Sequence, residues 1–204
     1  MRTRSDIKAQ AKRALASQHG NAILIYFVGM MVLGAAGAIL PGVGALLVLP
    51  VVAGLSFSFL NIYRARRADV GDLFAPFKDY GRTLGGLLWM ELWIFLWSCL
   101  FVIPGIVKAI AYSLTPYILA DSPASATDAL KLSMRMTEGY KGEIFVFFLS
   151  YIGWMILSGL TFGILEIVYV GPYRSIALSG LYEELKANAL RNGTVTASEL
   201  GMIG

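Results

Sequence analysis

Long apolar stretches alternate with short polar ones along the chain, and this alternation predicts helices that cross a lipid bilayer. From Asn21 to Tyr63, 43 consecutive residues contain no Asp, Glu, Lys or Arg, and two crossings need about 40 apolar residues. Four further apolar stretches follow. The sequence therefore predicts six membrane-spanning helices, at Ala22 to Leu40, Val43 to Tyr63, Thr83 to Ile103, Ile106 to Ala120, Ile144 to Thr161 and Ile164 to Tyr182.

The connections between the apolar stretches are of two kinds. Uncharged turns around Pro41, Pro104 and Gly163 predict tight reversals, because proline and glycine end a helix. Fifteen of the seventeen Lys and Arg residues lie in the other connections and at the termini. Because basic loops stay in the cytoplasm, we expect cytoplasmic termini and three hairpins that point outward. The fourth span contains Lys108 and Pro116 and is short, so it is either a full crossing or a tilted, broken or partly re-entrant segment.

The predicted fold is all-α: a polytopic membrane protein with six transmembrane helices in three hairpins. A cytoplasmic amphipathic segment is expected at residues 1–20, a transmembrane domain at 21–182 and a cytoplasmic tail at 183–204. The hairpins occupy 21–63, 83–120 and 144–182, with cytoplasmic connections at 64–82 and 121–143. Apolar residues recur at helical spacing before each hairpin, which predicts amphipathic helices on the inner leaflet. The basic N-terminus and the following apolar run resemble a signal peptide, but the run is too long for one, and we expect no cleavage.

The boundaries at which a polar segment gives way to an apolar span recur at a regular interval along the chain. Each returning arm also contains a proline. Equal periods predict three copies of one unit, made of a surface helix, a span, an outer turn and a kinked span, although six hairpin-forming helices also produce such spacings by chance. The boundary glycines, 61 residues apart, are Gly20, Gly81 and Gly142, and the prolines are Pro50, Pro116 and Pro172.

Composition supports the membrane prediction and limits the functions to consider. The chain is 57% hydrophobic and 15% charged, whereas a soluble domain carries about 25% charge. One cysteine and one histidine exclude a disulfide scaffold and a Cys/His metal centre. The basic residues behind the net charge of +4 orient the protein in the membrane and attract anionic headgroups. No nucleic-acid partner is therefore expected. Because phosphate-loop, nucleophile-elbow and zinc-protease motifs do not occur, we expect neither an enzyme nor a cofactor.

Four charged residues fall inside the predicted spans, where each costs about 2.5–3.5 kcal/mol at a helix centre. Counting at about 1.5 Å per residue from the outer turns places charges of opposite sign at matching depths in the membrane. The predicted contacts join Glu91 to Arg174 and Lys108 to Glu166. Such pairs either neutralise buried charge and fix the register of the bundle, or form a functional site. In the second case Glu91 is a proton- or cation-linked group, or Arg174 receives an anionic headgroup.

The prolines of the returning arms are predicted to break or kink their helices, because proline frees a backbone carbonyl. The residues concerned are Pro50, Pro116 and Pro172. Ser113 and Thr115 are expected to satisfy the freed groups at the second of these. Transporters bind ions and substrates at broken helices, but proline kinks also occur in membrane helices that transport nothing.

The stretch from Ala111 to Pro123, AYSLTPYILADSP, with Gly139-Tyr-Lys-Gly142 and Pro172-Tyr173 further along, resembles a bacterial integral membrane family. That family is catalogued as domain of unknown function 975. The resemblance covers most of the chain, and residues 103–182 most specifically. It implies a multi-pass protein of the bacterial plasma (inner) membrane and carries no established activity.

The expected function is a non-enzymatic membrane component that supports envelope assembly or export. Its expected partners are membrane lipids, including anionic headgroups, and other membrane proteins. The alternative is a small secondary transporter or channel that uses the intramembrane charges and the proline-broken helices.

Overall fold

The computed structural model describes residues 3–39 and 43–202. Within these ranges the chain is helical with short connections and contains no strand. A 3₁₀ segment, Val70–Asp79, and a π-helical turn, Glu166–Val170, accompany the α-helices. The ten α-helices of the described ranges, α1 to α10 in chain order, are Arg4–Ser17, His19–Ile39, Val43–Tyr63, Tyr80–Leu100, Val102–Tyr112, Thr115–Asp121, Ala126–Thr137, Lys141–Leu149, Ile152–Leu160 and Gly171–Arg191.

Three helical stretches among the described residues are long and apolar enough to cross a membrane. They are His19–Ala36, Val102–Asp121 and Lys141–Leu160, of 18, 20 and 20 residues. A shorter apolar helix covers Val48–Tyr63. At about 1.5 Å per residue the three stretches reach about 27–30 Å, which is close to the thickness of a bilayer core. They indicate that the protein associates with a membrane.

The N-terminal helix α1 is amphipathic, as the sequence predicts. Thr3 and Asp6 close a reciprocal capping box at its start. Ile7, Ala11 and Leu15 follow at intervals of four and are buried. The helix packs against α10, where a Cβ on Gly180 would lie 2.9 Å from the Ile7 side chain. The first and last α-helices therefore pack against each other.

Helix α3 lies at the centre of the structure and contacts α2, α6, α10 and the 3₁₀ segment. The 3₁₀ segment approaches it closely because residue 54 is glycine. A Cβ at Gly54 would lie only 1.9 Å from the carbonyl oxygen of Leu73. Leu73 itself is fully buried, so this contact holds the connection between the first two hairpins onto α3.

Helix α3 continues through Pro50, and the prediction that this proline breaks the helix is wrong. Proline has no N–H, so the carbonyl of Leu46 loses its partner four residues later. The hydroxyl of Tyr80, at the start of α4, donates to that carbonyl over 3.2 Å. A side chain from another helix thus satisfies the freed carbonyl, and α3 stays continuous.

The fourth predicted span is broken at the proline. Pro116 lies in the first turn of α6, directly after the break that follows α5. Backbone groups at the break are satisfied both from α7 and by the neighbouring Ser113, whose Oγ donates to the Ile110 carbonyl over 2.8 Å. The other hydroxyl that the sequence favours, Thr115 Oγ1, has no partner among the described residues. Ser133 Oγ donates to the Ala111 carbonyl over 2.7 Å and accepts from the Leu114 N–H over 3.3 Å. Ser133 is fully buried and joins the two halves of the span.

Two of the three predicted outer turns lie within the described residues. The second falls at Phe101, three residues before the predicted Pro104, because α5 already begins at Val102. Pro104 lies in the first turn of α5, where a missing N–H costs no hydrogen bond. The third turn follows α9, and Gly163 adopts a φ of +80° there. The first turn, around Pro41, lies outside the described residues.

The third hairpin is also irregular. Its first arm is divided at Ser150 and Tyr151 into α8 and α9. Lys8 of α1 donates to Ser150 Oγ over 2.6 Å, and its Nζ lies 4.6 Å from the centre of the Tyr151 ring. Burial and the nearby charge of Arg4 lower the pKa of Lys8. Helix α1 therefore contacts the point at which this arm is divided.

The equally spaced glycines occupy equivalent places in the structure. Each is the second residue of a helix, α2, α4 or α8, and each follows another helical segment. Those segments are α1, the 3₁₀ segment and α7. The three prolines differ in effect. The helical backbone continues through Pro50 and, after the π turn, through Pro172, so the prediction that Pro172 breaks its helix is also wrong, whereas a break precedes Pro116. The glycines involved are Gly20, Gly81 and Gly142.

Replacing Ser133 by alanine should destabilise the protein by about 1–3 kcal/mol, because the buried Leu114 N–H loses its partner and the Ala111 carbonyl keeps only a 3.4 Å contact with Thr137 Oγ1. The free energy of unfolding in detergent measures the loss. Ser58→Ala is the matched control. Ser58 is equally buried, but its hydroxyl donates to the Gly54 carbonyl of its own helix, which keeps a backbone partner. Equal losses for the two variants would contradict the role assigned to Ser133.

Candidate functional site

A polar cluster lies inside the predicted spans and joins α2, α9, the π turn and α10. Glu166 is at its centre. Its Oε1 accepts from the Tyr26 hydroxyl over 3.0 Å and from Arg174 Nη2 over 3.1 Å, and its Oε2 accepts from Ser158 Oγ over 3.3 Å. The Glu166 and Arg174 side chains are 22% and 29% exposed. The cluster therefore holds one partly buried ion pair with two hydroxyl donors around the carboxylate.

The four intramembrane charges are paired differently from the sequence prediction. The contacts of Glu91 with Arg174 and of Lys108 with Glu166 are wrong, because Glu166 and Arg174 bind each other. Lys108 instead places its Nζ 5.4 Å and 5.7 Å from the ring centres of two aromatic residues, Trp97 and Tyr112. Glu91 lies on the exposed face of α4 and has no ion-pair partner in the described ranges.

The predicted pairs are wrong because they rest on the depth of each charge along its helix alone. The direction in which each side chain points around the helix axis also determines its partner. Glu166 and Arg174 belong to the same arm, and a π turn lies between them. A π turn closes i to i+5 hydrogen bonds and so changes the direction in which later side chains point. Hydropathy gives no sign of this change, so the sequence reveals the depth of the charges and not their partners.

Gly171 allows Tyr26 to reach the ion pair. A Cβ at this position would lie 2.1 Å from the ring of Tyr26, closer than atoms can approach. Pro172 follows directly, and the helical backbone continues from the π turn into α10 without a break. The Gly-Pro pair at the end of the π turn therefore leaves room for the Tyr26 ring to pack against the arm that carries Glu166.

A second polar cluster, the Asp121 network, joins the ends of α3 and α6 to the middle of α10. Asp121 Oδ1 and Oδ2 accept from Arg64 over 2.5 Å and 2.9 Å, and Oδ2 also accepts from Lys186 over 2.6 Å and from the Tyr182 hydroxyl over 3.0 Å. Arg64 Nε donates to Glu183 over 2.6 Å. The side chains of Asp121 and Lys186 are each 9% exposed. Two cations and two carboxylates balance within one largely buried network.

An open cavity of about 830 Å³ lies beside this network, between α1 and α10. Its charged lining is internally paired, since Arg64 binds Glu183 and Arg191 approaches Glu184 to 3.9 Å. Charged groups that already neutralise one another offer little net attraction to an ionic ligand. The arrangement therefore favours a structural role for this end of the protein.

The sequence interpretation did not identify the Asp121 network, although a signal was present. Asp121 directly follows the fourth predicted span, Arg64 directly follows the second, and Lys186 comes four residues after the sixth. All three charges therefore fall at the same depth, at the inner ends of their spans. Tyr26 and Ser158 gave no such signal, because hydroxyl residues are common in membrane helices.

Comparison with known proteins supports the family resemblance. Residues 100–189 match the model of a family described as a protein of unknown function, DUF975. The chain therefore contains the domain of unknown function 975, and this prediction is confirmed for those residues. No curated protein and no solved structure matches the chain.

The matched region contains most of both polar clusters. It runs from the end of α4 almost to the end of α10, and so includes Asp121, Glu166, Arg174 and Lys186. Tyr26 and the other contributions of α2 and α3 lie before it. The family match therefore covers the arms that carry most of the charges, and the first hairpin adds the aromatic hydroxyl.

Replacing Asp121 by asparagine should lower the free energy of unfolding by about 3–5 kcal/mol, because Lys186 is then left largely buried without an ionic partner and Arg64 keeps only Glu183. Chemical unfolding of the purified protein in detergent measures the loss. The control is Asp128→Asn, since Asp128 lies on the surface of α7 with a side chain 57% exposed. A small loss in both variants would show that the network does not hold the three helices together.

Proposed function

We propose that this protein is a non-enzymatic integral membrane protein that binds lipids and other membrane proteins and supports envelope assembly or export. In this proposal it crosses the plasma membrane six times as three hairpins, with both termini in the cytoplasm. The predicted inner end then contains the Asp121 network, and the amphipathic helices lie on the inner leaflet.

The observation that carries the proposal is the apolar exterior of the helices. Phe95, Ile156 and Leu160 are 65%, 63% and 73% exposed on α4 and α9, and Phe162 in the third turn is 97% exposed. Exposed apolar patches of this kind are costly in water and favour contact with lipid or with another protein. Helices α3 and α4 have 21 residues each, enough to cross a bilayer core.

The middle of α4 favours a protein partner in addition to lipid. Glu91 is exposed there, beside Leu88 and Leu92, which are 42% and 47% exposed. A carboxylate that faces lipid is costly. A neighbouring membrane protein with a hydrogen-bond donor at the same depth would remove that cost, so this face is a natural place for a partner helix.

A secondary transporter or channel is the second candidate, and one observation favours it. The Glu166–Arg174 ion pair adjoins a π turn and a proline, and transporters bind substrates at such interruptions. Flux measurements on the protein reconstituted in liposomes separate the two candidates. Ion or solute flux that depends on Glu166 would favour transport, whereas co-purifying lipids or membrane proteins without flux would favour the first candidate.

The six-span arrangement is tested by the accessibility of single cysteines. In a Cys99→Ala background, Phe162→Cys should react with a membrane-impermeant maleimide added to intact cells, because it lies in a predicted outer turn. Arg67→Cys should react only after the membrane is permeabilised, because residue 67 lies in a predicted cytoplasmic connection and is exposed. Gel shift of the labelled protein measures both reactions.

The cysteine-free background protein provides the blank for this experiment. Reaction of both positions from the same side of the membrane would contradict the hairpin topology. Failure of Phe162→Cys to react even after permeabilisation would place the third turn inside the bilayer, and the third hairpin would then not cross it.

A further inference from the structure

A small cavity opens beside Arg174, between α2, α3, α6 and α10, and its volume is about 230 Å³. Its outer lining is apolar and partly exposed, and includes Met30, Val52 and Leu55. Its inner lining is buried and includes two hydroxyl residues, Ser56 and Tyr117. The cavity is therefore amphiphilic, with apolar side chains outside and polar groups inside.

Arg174 is the cation of this cavity. Its Nη2 donates to Glu166, and its guanidinium also interacts with the Tyr26 hydroxyl. The Arg174 side chain is 29% exposed, so its remaining N–H donors are open to water or to a ligand. Ser175, which also lines the cavity, donates no hydrogen bond to residues 3–39 or 43–202. Partly exposed donors beside an apolar wall favour a ligand that carries hydrogen-bond acceptors.

Glu166 does not saturate the guanidinium, because its carboxylate is shared. Tyr26 and Ser158 donate to the same carboxylate, so part of its accepting capacity is used by neutral groups. A guanidinium presents a planar fork that matches the oxygens of a phosphate or carboxylate in a bidentate manner. The remaining edge of Arg174 therefore suits an oxyanion.

The position of the cavity limits the ligand further. Arg174 lies nine residues before Glu183, or about 14 Å along α10 at 1.5 Å per residue, and Glu183 belongs to the Asp121 network at the predicted inner end. A water-soluble anion would have to leave water to reach this depth. An amphiphile could bring its anionic group to Arg174 and leave its chain against Met30, Val52 and Leu55.

We propose that this cavity binds the oxyanionic head of one anionic lipid, with Arg174 as the bidentate donor and Ser175 as a second donor. The proposal rests on the lipid-binding function proposed above and names its ligand class, a phosphate or carboxylate on an apolar chain. The small volume favours a simple head, such as a phosphate monoester or a fatty-acid carboxylate. A large sugar head would not fit.

Native mass spectrometry of the delipidated full-length protein tests the proposal. The probes are phosphatidate, oleate, phosphatidylcholine and inorganic phosphate, each added separately. Wild-type protein should retain one phosphatidate or oleate per chain, and should bind phosphatidylcholine and inorganic phosphate at least about tenfold more weakly. Arg174→Gln should lose about tenfold or more of the affinity for the anionic lipids, since it removes charge-assisted hydrogen bonds.

Two further variants keep the test decisive. Lys108→Gln removes the same charge from another predicted span, outside the cavity, and should bind like wild type. The double variant Glu166→Gln, Arg174→Gln removes the ion pair without leaving a lone charge, so it tests the site even if Arg174→Gln folds poorly. The double variant should also lose the anionic lipids.

The outcomes distinguish a failure of the proposed Arg174 site from a failure of the proposed lipid-binding function. If wild type, Lys108→Gln and the double variant retain anionic lipid equally, the cavity is not the site, but the lipid-binding function stands. If inorganic phosphate binds as tightly as phosphatidate, the site takes a free anion and the lipid assignment is overturned. If wild type retains no lipid of any kind, both the site and the lipid-binding function fail.

Discussion

The carboxylate of Asp121 determines how the three central helices meet. It lies at the end of α6 and accepts hydrogen bonds from Arg64, Lys186 and Tyr182, so it binds the end of α3 and the middle of α10 at once. Apolar side chains between helices in lipid provide little direction, because lipid tails are as apolar as leucine. A balanced and largely buried ionic network supplies that direction, since each charge is stable only in contact with the others.

Backbone groups freed by proline show the same dependence on distant partners. The Tyr80 hydroxyl binds the Leu46 carbonyl opposite Pro50, and Ser133 binds both sides of the break before Pro116. A bilayer contains no water to satisfy such groups, so the protein must do so itself. The consequence differs between the two sites: the first helix stays continuous and the second is interrupted. The proline determines where a carbonyl is freed, and the surrounding helices determine whether the helix continues or breaks.

The interior ion pair is less enclosed than the Asp121 network. Glu166 accepts from Tyr26, Arg174 and Ser158, and the guanidinium of Arg174 lies beside a cavity with its side chain 29% exposed. The side chains of Asp121 and Lys186 are each only 9% exposed. A partly exposed cation can still bind a ligand, whereas a largely buried and balanced network cannot exchange its partners without cost.

The sequence by itself determined the helical class, the membrane association, the amphipathic N-terminal helix and the family match over residues 100–189. These properties depend on hydropathy, helical periodicity and local motifs, which are read along the chain. Tertiary structure decided the partners: Glu166 for Arg174, aromatic rings for Lys108, Ser133 for the break at Pro116, and the whole Asp121 network. Partner choice depends on the direction of each side chain around its helix and on the packing of the helices, and one π turn is enough to change it. The depth of a residue along its helix can therefore be predicted from sequence, whereas the direction of its side chain depends on the fold.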